Sequence, residues 1–114
     1  MKPVKTELYH DHFQNYKRYN ILIGELAKIL KQNGINVGQN RLFDYLRNKG
    51  YLIRQKGEQY NMPSQKSLDM ELMVIKTSVR SNPDGSNRVN RTPKVTPKGQ
   101  QYFVNKFLAE VEIA

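Results

Sequence analysis

The stretch Gly24-Glu25-Leu26-Ala27-Lys28-Ile29-Leu30-Lys31-Gln32-Asn33-Gly34-Ile35-Asn36-Val37-Gly38-Gln39-Asn40-Arg41-Leu42-Phe43-Asp44-Tyr45-Leu46-Arg47-Asn48-Lys49 decides the fold of this chain. It holds two helix-sized segments joined by a short turn. In the first, Leu26, Ile29 and Leu30 fall on one face, with Lys28, Lys31 and Gln32 opposite. That is the 3.6-residue pattern of an amphipathic helix. Asn33-Gly34 ends it, because glycine takes the left-handed backbone that closes a helix at low cost. Ile35 and Val37 pack the turn, and Gly38 is expected to hold a backbone angle that other residues resist. In the second segment Leu42, Phe43 and Leu46 point inward, leaving Gln39, Asn40, Arg41, Asp44, Arg47 and Asn48 outside. Two such helices across a tight turn read as a helix-turn-helix, the arrangement that sets its second helix in a DNA major groove.

Working outward, residues 51–54 and 58–61 read as a strand pair around Gln55-Lys56-Gly57, a hairpin of wing size. Met62-Pro63-Ser64 closes the unit, since proline discourages a continuing strand. Upstream, residues 19–23 are short and apolar, as a strand leading into the first helix. Leu8, His12 and Tyr16 recur every four residues, with Phe13 beside them, which allows an amphipathic helix from about Thr6 to Lys17. Downstream, residues 64–70 suit a helical turn or two capped by Ser64 or Ser67. Residues 72–80 read as a strand by their β-branched content. Residues 82–87 are a turn cluster, and residues 88–95 form the return strand, with Pro93 expected at a sheet edge. Thr96 and Pro97 then start a helix as N-cap and first helical residue, running to about Val111. Its stripe of Tyr102, Phe103 and Phe107 reads as core. The predicted fold class is α+β: a winged helix-turn-helix with an additional β-hairpin and a C-terminal helix. Residues 1–19 are a linker or helix, and residues 20–114 form the domain.

The chain has 114 residues, enough for a modest core, and carries 19 Lys+Arg against 10 Asp+Glu, a formal charge of +9. Such an excess points to an anionic partner, most commonly nucleic acid. There is no cysteine, hence no disulfide and no thiolate metal site, which fits a reducing cytoplasm. Residues 1–11 contain no apolar run of signal-peptide type. No apolar run approaches the ~20 residues that a membrane-spanning helix needs.

Catalysis finds little support. His10 and His12 are the only histidines, with no acid at zincin spacing, and Gly34 and Gly38 do not form a phosphate-binding loop. No cofactor or metal is implied. Nucleic-acid reading finds more. Gln39, Asn40, Arg41 and Asp44 are candidates for base contacts, because amide side chains pair with adenine and guanidinium with guanine. Arg47, Asn48, Lys49, Arg54 and Lys56 are candidates for phosphate contacts, which position the protein without reading sequence. Arg80, Arg88, Arg91 and Lys94 make a secondary basic patch on the second hairpin. That patch is either a further finger on nucleic acid or a sheet edge guarded by charge.

The runs Ile23-Gly24-Glu25-Leu26-Ala27-Lys28-Ile29-Leu30, Ile35-Asn36-Val37-Gly38-Gln39-Asn40-Arg41-Leu42-Phe43-Asp44-Tyr45-Leu46-Arg47, Asn61-Met62-Pro63 and Thr92-Pro93-Lys94-Val95-Thr96-Pro97-Lys98-Gly99-Gln100-Gln101-Tyr102-Phe103 resemble the C-terminal domain of phage antirepressors, the KilAC type. Together they cover residues 20–108. The resemblance implies a small domain of DNA-binding type, usually set behind a separate N-terminal domain, so that this chain looks like the C-terminal part of a longer protein. It implies a role in relieving repression of phage lytic genes, often by engaging the repressor, in the cytoplasm of a bacterial host. It carries over no DNA-contacting residue. The expected partner is double-stranded DNA; the rival reading is a protein-interaction module that inactivates a phage repressor without touching DNA. A homodimer is compatible with a helix-turn-helix of this size, although no coiled-coil seam is visible.

Overall fold

The computed structural model describes residues 15–113. Their order is β1 (Ile21–Leu22), α1 (Ile23–Gln32), α2 (Gln39–Asn48), α3 (Gln65–Asp69), β2 (Met73–Ser81), β3 (Asn87–Val95) and α4 (Pro97–Ile113). The described residues therefore make a mixed α+β fold of four helices and one three-stranded antiparallel sheet, in the order β1-β3-β2. Most of the helix expected over residues 6–17 lies outside the described residues, and residues 15–17 are not helical.

The two motif helices end as their glycines require. Gly34 stands at φ +85°. Its N–H bonds to the Lys31 carbonyl at 3.0 Å, and the Ile35 N–H reaches back to Leu30 at 2.9 Å. Gly50 repeats the motif at φ +84°, with Gly50 N–H to Arg47 at 3.2 Å and Tyr51 N–H to Leu46 at 2.8 Å. This is the six-to-one, five-to-two closure that satisfies the last carbonyls of a helix. At the start of α1 the Glu25 carboxylate accepts the Leu22 N–H at 3.0 Å, half of a capping box. Gly38 departs from expectation. It caps α2 at φ −83°, ψ 175°, ordinary extended backbone open to any residue.

The core is continuous. Leu26 and Leu30 of α1, Leu42 and Leu46 of α2, Met73 and Val95 of the sheet, and Phe103 and Val104 of α4 are all buried together. Each fully buried aliphatic side chain contributes about 1.5–3 kcal/mol. The Phe103 and Phe107 reading holds, and Tyr102 is half-buried against the same cluster. The Tyr51 ring meets Phe103 edge-on at 5.0 Å, and its hydroxyl shares a 2.6 Å hydrogen bond with Tyr102. The Tyr45 ring lies 4.3 Å from Phe107, and its hydroxyl donates to Glu110 at 2.7 Å. These contacts dock α2 and its exit against α4.

The start of α4 is the tightest joint. The Thr96 hydroxyl accepts the Gly99 N–H at 2.9 Å and turns its own proton to the Glu71 carbonyl at 2.7 Å. Pro97 occupies the first helical position, where a missing N–H costs nothing. Gln100 is wholly buried. Its amide donates to the Tyr19 carbonyl at 2.9 Å and its Oε1 accepts the Lys17 N–H at 2.6 Å. Residues 17–19 are thereby fastened to α4.

The strand pair expected at 51–54 and 58–61 does not form. One isolated bridge, Leu52 to Pro63, forms, and three backbone bonds cross the segment: Ile53 N–H to Met62, Asn61 N–H to Ile53 and Ser64 N–H to Tyr51. Tyr51 and Leu52 are drawn into the core. The return limb is wound into turns, with Tyr60 N–H on the Gly57 carbonyl and Met62 N–H on that of Gln59. Gly57 and Asn61 both take positive φ, +139° and +66°. The segment is a folded loop. The long hairpin is β2–β3, paired from Met73–Val95 out to Ser81–Asn87. Its turn is built by Asn82-Pro83-Asp84-Gly85, with Gly85 N–H on the Asn82 carbonyl and Gly85 at φ +92°. That is a type I turn followed by a left-handed residue, a common three-residue hairpin connection. Pro93 is not on an edge strand: β3 is the middle strand. It sits where the pairing with β1, confined to Lys94 and Val95, has just ended, so β3 has a free edge there to take a residue lacking an N–H.

Candidate nucleic-acid interface

The outer face of α2 divides into two halves. Gln39, Asn40 and Arg41, in its first turn, are exposed. No side chain caps this end of the helix, so its first N–H groups open to solvent and carry the positive end of the helix dipole. Gln39 is partly occupied: its Oε1 lies over Gly24, where an added methyl would stand 2.8 Å away. It must swing off α1 to reach a base. Asn40 and Arg41 have no such neighbour.

The second half is occupied by its own chain. The Arg47 side chain is only 17 % exposed and pairs with Asp44. It also donates to Asn61 Oδ1 at 2.7 Å, and its guanidinium lies 5.3 Å from the Tyr60 ring centre. Asp44 is exposed but held by this pair. Arg47 thus pins the 57–61 loop to α2, and both residues act within the protein. The Lys56 ammonium sits 4.1 Å from the centre of the same Tyr60 ring. Arg54, Asn48 and Lys49 are exposed, with the Lys49 ammonium 5.8 Å from the Tyr45 ring.

The second basic patch gains most from the structure. β2 buries Met73, half-buries Ile75 and is exposed from Lys76 to its end. The hairpin therefore leaves the body as an arm. The register pairs Lys76 with Thr92, Ser78 with Asn90, Arg80 with Arg88 and Val74 with Lys94. Because side chains alternate across a strand, Lys76, Arg80, Arg88 and Lys94 share one face, and Arg91 points to the other. Lys76 was missing from the sequence reading; the alternation of β2, once its register is known, is the signal that adds it. The arm holds five cations against one acid, Asp84. That carboxylate accepts the Ser86 hydroxyl and N–H within the turn, and these bonds hold its pKa below the usual value. Among the described residues the ion pairs are Arg47–Asp44 and Lys98–Glu71, so no cation of the arm is neutralised.

The arm's root adjoins α2. A shallow cavity of about 200 Å³ is lined by Leu22, Gly24, Gln39, Phe43, Thr92 and Pro93. The core beneath is neutral. Burial, aided by donation to Glu110, pushes the Tyr45 phenol above its ordinary pKa, and burial followed by the Tyr102 hydrogen bond does the same at Tyr51. Among the described residues no cluster of His, Asp or Glu could hold a metal ion, and no helix is long and apolar enough to cross a membrane.

Comparison with known proteins bears directly on this arrangement. Residues 7–110 match the family described as "Phage antirepressor protein KilAC domain". The chain is also 38 % identical over 88 residues to "Protein kilA" of Escherichia phage P1. That alignment covers 77 % of this chain and 30 % of the phage protein, so the chain spans about a third of its relative's length. No solved structure matches the chain. The tail from Thr96 to Gln100, whose residues cap α4, abut Leu72 and fasten residues 17–19, lies within the family match. On the extent of that match, the chain belongs to the KilAC domain family of phage antirepressor proteins.

Proposed function

We propose that the domain binds duplex DNA as a winged helix, with the first turn of α2 in the major groove and the β2–β3 arm as the wing. The family is a regulatory one and not a known enzyme family. The observation that carries the DNA reading is the arm: a projecting hairpin with five cations, one acid engaged in its own turn, and Arg80 set directly opposite Arg88. Like charges directly opposed on a sheet cost stability, and a polyanion lying along the hairpin offsets that cost. The connectivity supports the same reading. A short strand leads into two helices, and the second strand of the following hairpin returns to pair with it. On this reading Gln39, Asn40 and Arg41 face bases, while Lys76, Arg80, Arg88 and Lys94 face phosphates, with Asn48, Lys49, Arg54 and Lys56 flanking. Residues 20–114 then act as the DNA-binding unit of a longer antirepressor, in the cytoplasm of a phage-infected bacterium.

The test is fluorescence anisotropy of a labelled duplex titrated at several salt concentrations. Each phosphate contact contributes about −0.9 to the slope of log affinity against log salt. Converting Arg80, Arg88 and Lys94 to Gln is expected to flatten that slope by about 2–3. Absence of binding at low salt by the folded wild-type domain refutes the proposal. A second reading, docking on a phage repressor, is favoured by one observation: Val79 and Val89 lie opposite each other, 64 % and 58 % exposed, on the arm's other face. Loss of repressor capture on Val79→Ser with DNA affinity unchanged would favour that reading.

A further inference from the structure

A concave cleft of about 680 Å³ separates the arm from the folded loop before α3. One wall is Ser78 with the β3 run 88–92, Val89 included; the other is Glu58 and Met62. Ser78, Arg88, Asn90 and Thr92 belong to the hairpin face that also carries Lys76, Arg80 and Lys94. Hydroxyl, carboxamide and guanidinium groups are the set that contacts the sugar–phosphate backbone of nucleic acid. The loop is held as an opposing jaw by Arg47, through Asn61 and Tyr60. The Lys56 ammonium, at the edge of this loop, lies 4.1 Å from the Tyr60 ring centre. Glu58 is the one acid lining the cleft, and among the described residues it has no ion-pair partner.

We propose that this cleft seats one strand of the DNA backbone, clasped between the arm and the 57–62 loop. The inference rests on the duplex-binding reading above and adds to it a two-sided grip. Arg88 supplies charge, while Ser78, Asn90 and Thr92 supply neutral donors. Glu58 opposes the bound phosphates, restraining affinity for any sequence and leaving discrimination to α2. The sign of the Glu58 effect separates an anionic occupant from a cationic or peptide one.

The experiment uses the whole chain and a labelled duplex, with Kd read by anisotropy from low to moderate salt and thermal melts to establish folding. Glu58→Gln is expected to tighten binding about threefold, the effect of removing one like charge several ångströms from a phosphate in a solvated site. The Ser78→Ala, Asn90→Ala double variant is expected to weaken binding about tenfold with the salt slope unchanged, because neutral donors release no counterions. If the wild type binds and the Arg80, Arg88, Lys94 variant flattens the slope, yet both cleft changes leave Kd unaltered, the cleft proposal falls and the DNA reading stands. If Glu58→Gln weakens binding, the occupant is not a phosphate backbone. If the wild type does not bind duplex at all, both proposals fall together.

Discussion

Replacing Gly99 by alanine removes a glycine from a helix, a change that ordinarily stabilises by about 1 kcal/mol. Here the sign is expected to reverse. A Cβ at Gly99 would lie 2.0 Å from the Leu72 carbonyl oxygen and 2.9 Å from both Leu72 C and Val95 Cγ1. The obstacle is backbone and cannot rotate away, so α4 or the 71–72 segment must retreat by about 1 Å to restore van der Waals contact. That carbonyl also accepts the Thr96 N–H at 3.0 Å. Overpacking of this kind costs about 1–3 kcal/mol, and a weakened hydrogen bond adds about 0.5–1.5 kcal/mol. Less the helical gain of about 1 kcal/mol, a net loss of about 0.5–3.5 kcal/mol lowers the melting temperature by roughly 3–20 °C in a domain of this size. Thermal melts followed by circular dichroism measure it. The control is Gly38→Ser, where nothing lies within 4 Å and φ is −83°; serine there is expected to gain a few tenths of a kcal/mol as a helix cap. A Gly99→Ala protein that melts at or above the wild-type temperature would refute the close-approach argument. Because Val95 and Leu72 root the arm, the same variant is expected to weaken DNA binding even when folded.

Arg47→Leu is expected to free the 57–61 loop, so that trypsin cleaves after Arg54 and Lys56 much faster than in wild type. Arg41→Leu is expected to leave that rate alone; equal rates for the two variants would mean Arg47 holds nothing. Gln100→Leu strips the Lys17 N–H and Tyr19 carbonyl of their buried partner, at a cost of about 1–3 kcal/mol, and should speed hydrogen exchange at Lys17. High pH gives a third readout. Tyr45 and Tyr51 both hold their protons more tightly folded than unfolded, so their contribution is complete below the ordinary tyrosine pKa of about 10 and declines as pH rises beyond it. Melts between pH 8 and 11 should show that decline, and Tyr51→Phe should blunt it. Arg80→Gln is expected to raise the stability of the free domain by about 0.2–1 kcal/mol, by relieving its opposition to Arg88, while weakening its grip on DNA.

The helices were legible because their signals are local. Leu26, Ile29 and Leu30 mark a face, Gly34 and the Lys49-Gly50 pair mark ends, and Thr96-Pro97 marks a beginning; each is enforced within a turn or two of backbone. The hairpin was misplaced because two segments satisfied the same local pattern. Residues 51–61 alternate and turn like a hairpin, but Tyr51 and Leu52 are claimed by the core and Tyr60 by Arg47, both contacts made across the fold. β2–β3 has the same local signals and little core to claim it, so its strands pair to their full length. Gly38 was misread for a related reason: glycine permits a positive φ but does not compel one. Gln100 carried no sequence signal, since the partners of a buried amide are backbone groups some 80 positions away in the chain.

The same residue type means different things in the two places. Arg47 is largely buried and engaged by Asp44, Asn61 and Tyr60, so its identity is explained by folding alone. Arg80 and Arg88 lie beyond the last buried residue of β2, face each other across the ladder and help no core to form. A solvated hairpin is indifferent to most polar side chains at such positions, and threonine or glutamine would pair as well or better. Two opposed guanidiniums are therefore a cost that folding does not explain, on an arm whose one acid is already engaged in its turn. Binding supplies the missing term when the partner is anionic. A second arm of this chain would add repulsion in its place, so the arm's charge argues for a polyanion and against arm-to-arm pairing between copies.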